Sequence, residues 1–324
     1  MSNIPSSISS HLALKYFERG TFLEIRSKKR DTVVWCDPWI NASSYQIVKD
    51  QSLERPKIID LLKKTKKLRH ILVTHTHGDH FADVPEIFYQ CIYRNIEPYV
   101  WGDPNVQSLI CEYISRASGT SQKYGFYRGM TQYLITELTT GLDPKDENQR
   151  REKGLVHDIW NDETQIPLLY LGASDSGESE YHLVAEAVKF QHSDVSAAFV
   201  DLSKNLQGDP DKRRDLCTKS DETAIPMYSP RNEMLGFIFD IYRVPKWSNV
   251  PEACTPERRI AGFALMSGKN FNDSVSEDVR RRFGQLDYLF YIPQAERLIR
   301  DNGWGSIPSM KVHSGATYIH GDSE

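Results

Sequence analysis

Three histidines and an aspartate fall within six positions of one stretch, Ile71-Leu-Val-Thr-His75-Thr-His77-Gly-Asp79-His80. Imidazole nitrogen and carboxylate oxygen are ligand types that Zn²⁺ and other borderline divalent ions take. An ion held there would lower the pKa of bound water towards neutrality and polarise an electrophile beside it. The chain has ten histidines, and a lone one in a polar loop would carry no such reading. Three of them beside a carboxylate, in six residues, read as a metal site.

The elements that must position these groups are legible around them. Ile71, Leu72 and Val73 read as a buried strand, reached from the amphipathic stretch Ile58-Ile-Asp-Leu-Leu62. A strand continuing through His75 and His77 would point both imidazoles to one side, because its period is two. Gly78 permits a sharp turn, after which Asp79 and His80 are expected to open a helix running through Val84, Ile87 and Phe88. Upstream, Thr21–Ile25 and Thr32–Pro38 read as two strands around the charged turn Ser27–Asp31. Asp37-Pro38 closes the second of them, either as a plain strand-ending turn or as a carboxylate supporting the site.

His75-Thr-His77-Gly-Asp79-His80 resembles the H-x-H-x-D-H signature of the metallo-β-lactamase superfamily. The resemblance runs from about Leu14 to His313 and implies an α/β (α+β) fold, a four-layer αββα sandwich. It also implies a one- or two-metal site on one edge and, as in most members, hydrolysis. It makes Asp37 a carboxylate that orients a metal-bound histidine by accepting its remote N–H. It places His192, after the alternating Val188-Lys-Phe190-Gln, with His75 and His77 on a first metal. Asp79 and His80, with His313 after Ser309-Met-Lys-Val, then hold a second metal or orient the attacking water, and Asp79 is the catalytic residue. Leu235–Ile241 reads as a further core strand, Leu286–Ile292 resembles a later buried strand of the family, and the stretch from Pro293 reads as a helix with Gly303 after its end.

One departure stands out. Arg259–Gly268 resembles the strand that ends in S-G-D-T in many members, yet this chain reads Ser267-Gly268-Lys269-Asn270. A lysine ammonium only donates hydrogen bonds and cannot bridge two cations. Three readings stay open: the bridging carboxylate is Asp273 or Asp201; one metal sits on His75, His77 and His192; or hydrolysis is lost and the fold kept. Lys269 could also take the charge position of a second metal and meet an anionic substrate.

For substrate, His80-Phe-Ala-Asp-Val-Pro85 resembles the D-H-x-x-x-x-P segment of tRNA 3′-processing endonucleases and cyclic-nucleotide phosphodiesterases. That implies hydrolysis of a phosphodiester, in nucleic acid or a cyclic nucleotide, by metal-bound hydroxide. Zn²⁺ is the expected metal, one ion or two, with Mn²⁺ as an alternative. The turn Asp37-Pro38-Trp39 resembles instead the lactonase and phospholipase-like branch, so a lactone, amide or ester hydrolase is the second reading. A binding protein on a decayed site, motivated by Lys269, is the third.

Composition adds bounds. The 324 residues and net charge of −4 suit one domain, 1–324, without a nucleic-acid-coated surface. Two polar insertions are expected, at about 116–182 and 202–235, their charge runs read as solvated loops. Tyr124, Phe126 and Tyr127 with Lys123 and Arg128 form a basic-aromatic cluster, a type that can stack bases. Cys36, Cys91, Cys111, Cys217 and Cys254 lack C-x-x-C spacing and read as free thiols. With no signal peptide and no apolar run near the ~20 residues of a membrane span, a cytoplasmic protein is expected, compatible with a homodimer and with no membrane partner.

Overall fold

A computed structural model describes residues 11–17, 22–40, 51–65, 67–75, 78–81, 83–102, 106, 110, 142–143, 146–150, 155–159, 165–191, 233–245, 258–261, 276–291, 296–311 and 317–318. In chain order the elements begin with strands β1 (Leu12–Tyr16), β2 (Leu23–Ser27) and β3 (Val33–Cys36), then helix α1 (Gln51–Lys64) and β4 (Leu68–Leu72). Next come the short helix α2 (Gly78–Phe81), α3 (Val84–Tyr93), β5 (Tyr99–Gly102), β6 (Leu142–Asp143), β7 (Asp146–Arg150) and β8 (Val156–Asp158). The remainder is β9 (Gln165–Ala173), β10 (Ser179–Gln191), β11 (Glu233–Pro245), β12 (Arg258–Ala261), α4 (Glu277–Phe283), β13 (Tyr288–Tyr291), α5 (Glu296–Asp301), β14 (Ser309–Lys311) and β15 (Thr317–Tyr318). The protein is thus a mixed α/β chain, rich in sheet with few helices. It divides into two compact units, one of Met1–Cys36, Asp162–Ser193 and Asn232–Glu324, the other of Asp37–Asn161 and Asp194–Arg231.

The first unit holds two sheets. β15, β1, β2 and β3 pair antiparallel in that order. The other sheet has six strands in the order β14-β13-β12-β11-β10-β9. Its centre is the antiparallel ladder of β10 and β11, in continuous register from Ser179↔Pro245 to Gln191↔Glu233. β11 is buried from Met234 to Tyr242 without a polar-out alternation, as expected of a strand covered on both faces. β12, β13 and β14 run parallel, with α4 and α5 as their crossovers. Val279, Phe283, Ile299, Trp304 and Ile307 from that helical layer pack on Val188, Phe190, Met234, Ile238 and Leu289 of the sheet. α4 starts where Ser276 Oγ accepts from Val279 N at 3.2 Å, and its acidic first turn and basic last turn both suit the helix dipole.

β9 and the start of β10 lie inside the stretch 116–182 that the sequence reading treats as an insertion, yet they belong to this six-stranded sheet. Pro167 hides the strand signal: it cannot donate to a ladder and is tolerated because β9 is an edge strand, beside a register shift at Leu183/Val184. Gly172 sits at φ +121°, a conformation that side chains with a Cβ rarely adopt, and an added Cβ would also push aside Lys29, whose Cδ it meets at 2.4 Å. Lys29 lies across it and donates from Nζ to Ala173 O. The charge run from Asp143 is not all loop either, for β6 and β7 pair antiparallel within it.

The second unit carries β4, β5 and β8 as a parallel set. α3 is apolar through Val84, Ile87, Phe88 and Cys91, all fully buried. One continuous helix from Asp79 to Phe88 is expected from sequence, but the structure breaks it into α2 and α3. Pro85 sits in the first turn of α3; it has no N–H to give and disfavours helix before it, so the chain must restart at Asp83. α5 ends at Asp301, and Gly303 follows its end as the sequence suggests, turning the chain at φ +75° into a 3₁₀ turn, Trp304–Ser306.

Candidate metal centre

β4 ends at Leu72, so His75 does not continue the strand as its periodicity suggests. The reason is a contact from far upstream. Leu72 O accepts from Asp37 N at 2.9 Å, and Thr74 N donates at 2.7 Å to the side chain of Asp37 rather than into a ladder. Val73 N keeps one last sheet-like bond, to Trp101 O of β5. From there the chain leaves the sheet, and α2 brings His80 back against His75. The two imidazole centroids are 4.1 Å apart and tilted by 46°. Both side chains are buried.

Asp37 sits beneath this pair, wholly buried and in the left-handed region at φ +43°. Aspartate tolerates that conformation better than most side chains, though at some cost. Its Oδ2 lies 2.5 Å from His80 Nδ1 and 2.6 Å from the Thr74 hydroxyl, while Oδ1 takes the Thr74 amide. Burial pushes the Asp37 carboxyl above its ordinary value, against the opposing pull of His80 and Thr74. Thr74 Oγ1 also lies 2.9 Å from His75 Nδ1 and 3.2 Å from His80 Nδ1. The turn holding Asp37 is pinned from its other end, where Asp83 Oδ2 accepts from Ile40 N at 2.6 Å.

Asp37, His75 and His80 are therefore brought together. Asp79 contributes its backbone to α2. His77, His192, Lys269, Asp273 and His313 lie outside the described residues, as do Asp201 and the basic-aromatic cluster 123–128. Among the described residues no three His, Cys, Asp or Glu side chains converge as a metal site. His75 and His80 nonetheless fit a divalent ion by the chemistry of the donor set. Each engages a polar partner through Nδ1, which directs any coordination to Nε2, and a carboxylate against the remote nitrogen is the usual support of a ligating histidine. Thr74 and Asp83 escape the sequence reading. Thr74 lies directly between strand end and first histidine, a position that carries its own signal. Asp83 before Val84-Pro85 reads as a helix cap, but its carboxylate serves Ile40 instead.

No family model matches the chain, and no curated protein matches it. Among solved structures, the crystal structure of human tRNase Z, short form, is similar at a TM-score of 0.35 and 12% identity, over 86% of this chain and 77% of that one.

Proposed function

We propose that the chain is a metal-dependent hydrolase with the four-layer αββα arrangement of the metallo-β-lactamase superfamily, folded as one domain and acting on a phosphodiester. One observation carries this reading: the buried Asp37 carboxylate engages His80 directly and His75 through Thr74, inside the H-x-H-x-D-H segment. An ionisable group buried in a left-handed turn is costly, and a plain strand-ending turn has no need of it. Orienting two imidazoles for a cation accounts for that expense of burial.

A divalent ion, when bound, lowers the pKa of water and polarises the phosphoryl oxygen. His75, His77 and His192 would hold a first Zn²⁺ or Mn²⁺, and Asp79, His80 and His313 a second. Asp273 or Asp201 would supply a bridging carboxylate, and Lys269 a contact for an anionic substrate. The carboxylate of Asp79 would accept a hydrogen bond from the attacking water and aim it. The choice of phosphodiester rests on His80-Phe-Ala-Asp-Val-Pro85. The buried Cys36 and Cys91 are in no disulfide, which suits a reducing compartment such as the cytoplasm. Among the described residues no helix is long and apolar enough to cross a membrane.

The test joins metal content to turnover. Purified protein should carry Zn²⁺ or Mn²⁺ and cleave bis(p-nitrophenyl) phosphate, a cyclic nucleotide or a small RNA. Asp79→Asn should keep the metal of the first site while turnover falls. Cleavage of lactones or lactams alone would move the protein to the second reading. A metal-loaded chain that cleaves nothing, and gains activity on Lys269→Asp, would mark a decayed enzyme.

A further inference from the structure

With Asp37 ionised, the hydrogen bonds around Thr74 close in one way. An ionised carboxylate accepts and does not donate. The 2.6 Å contact between Thr74 Oγ1 and Asp37 Oδ2 must then be bridged by the hydroxyl proton. A threonine hydroxyl has one proton, so towards His75 Nδ1, 2.9 Å away, Oγ1 can only accept. His75 must therefore carry hydrogen on Nδ1. His80 Nδ1, 2.5 Å from Oδ2, faces the same acceptor and must carry hydrogen there too. The Thr74 amide fills Oδ1 at 2.7 Å. The carboxylate thus receives three hydrogen bonds, two of them from one residue.

We propose that Thr74 is a positioning residue: its hydroxyl relays the Asp37 carboxylate to His75, so that one buried anion sets the same Nδ1–H form on both imidazoles and leaves Nε2 as the coordinating nitrogen of each. The metal-binding consequence rests on the hydrolase reading above; the proton placement does not. Thr74 is suited to the task by more than its hydroxyl. Branching at Cβ leaves few χ1 wells, and full burial leaves no water to substitute for Oγ1. Asp37 reaches His80 directly at 2.5 Å, with Thr74 Oγ1 a longer 3.2 Å from the same nitrogen, so loss of the relay should disturb His75 far more than His80. That asymmetry separates a relay from general loosening of the site.

The experiment reads imidazole ¹⁵N shifts of histidine-labelled, metal-free protein, wild type beside Thr74→Val and Thr74→Ser, followed by Zn²⁺ titration against a competing chelator. In the wild type both His75 and His80 should show protonated Nδ1 and bare Nε2. Thr74→Val should turn His75 into a tautomer mixture while His80 keeps its form, and Zn²⁺ affinity should fall by about 10–100-fold. Thr74→Ser should restore both readouts. A wild-type His75 protonated on Nε2 overturns the proposal without any variant, so it stays testable even where Thr74→Val does not fold. Unchanged tautomer and affinity in Thr74→Val overturn it too. A wild type that has the stated tautomers but binds no Zn²⁺ upholds the relay and sinks the hydrolase reading instead.

Discussion

Asp37→Asn isolates what the buried carboxylate contributes. Asparagine has nearly the same shape and tolerates the left-handed φ of +43°, so backbone strain stays constant and only hydrogen bonding and charge change. Three donors converge on the carboxylate: the Thr74 amide, the Thr74 hydroxyl and His80 Nδ1. The asparagine amide can place its oxygen at one of the two positions, and its NH₂ then faces a donor at the other. The loss is a charge-assisted bond of about 1.5–3 kcal/mol plus about 1–3 kcal/mol for a buried donor left facing another donor. Relief of carboxylate burial works in the opposite direction: the side chain is wholly buried, which pushes the Asp37 carboxyl above its ordinary value. Burial offsets the lost charge-assisted bond, and the donor left facing another donor leaves a net destabilisation of about 1–3 kcal/mol. Urea unfolding in EDTA would measure it, and Zn²⁺ competition on the same protein should show affinity about 10–100-fold lower. An Asp37→Asn protein as stable as wild type with unchanged Zn²⁺ affinity would refute the reasoning. It would mean that burial of the charge outweighs its hydrogen bonds and that the histidines orient themselves.

Three further outcomes follow from the geometry. Gly172→Ala should lower Tm through about 1–3 kcal/mol of backbone strain, with a further loss as Lys29 is pushed off Ala173 O; an unchanged Tm would show that β9 relaxes freely there. Burial pushes the Cys91 thiol far up, with Arg94 only partly opposing it, so a native thiol-labelling experiment should leave the Cys91 peptide unmodified until urea is added. Arg281, then Arg282, holds the Asp278 carboxyl below its ordinary value. Its folded pKa is the lower one, so its stabilisation is present above the unfolded carboxylate pKa and is lost as pH falls through the folded value. The side chain is half exposed, so Asp278→Asn should cost well under about 1 kcal/mol near neutrality. That difference should shrink in high salt and vanish in acid.

The parts legible in the sequence were those whose signal is local. β2 and β3 around a charged turn, the apolar β11 and the compact histidine run all declare themselves within ten or so residues. β9 did not, because Pro167 reads as a breaker unless the strand is known to lie at an edge, and edge position is a tertiary fact. The end of β4 was missed for a related reason. Nothing near Leu72 stops a strand; Asp37, far upstream, captures the Thr74 amide. The break between α2 and α3 was readable in principle from Pro85 but was outweighed by the apolar spacing of Val84, Ile87 and Phe88. Within the site, Asp37 could be named but not its geometry, since its contacts to His80 and Thr74 close over a long sequence separation.

The continuous ladder between β10 and β11 bears on how this chain tolerates change. Gln191 and Glu233 stand opposite each other at the end of that ladder, so their Cα atoms are separated by roughly 4.5–5.5 Å. Any segment joining them has to begin and end at nearly the same point. For a flexible segment the entropy of such closure grows only logarithmically, each doubling in length costing roughly 0.6 kcal/mol. Lengthening the connection between these two anchors is therefore cheap in closure entropy beside the cost of shifting the ladder by one residue, which would turn every buried side chain of β11 to its other face. The sheet fixes two adjacent anchor points, so an insertion between them need not disturb its register.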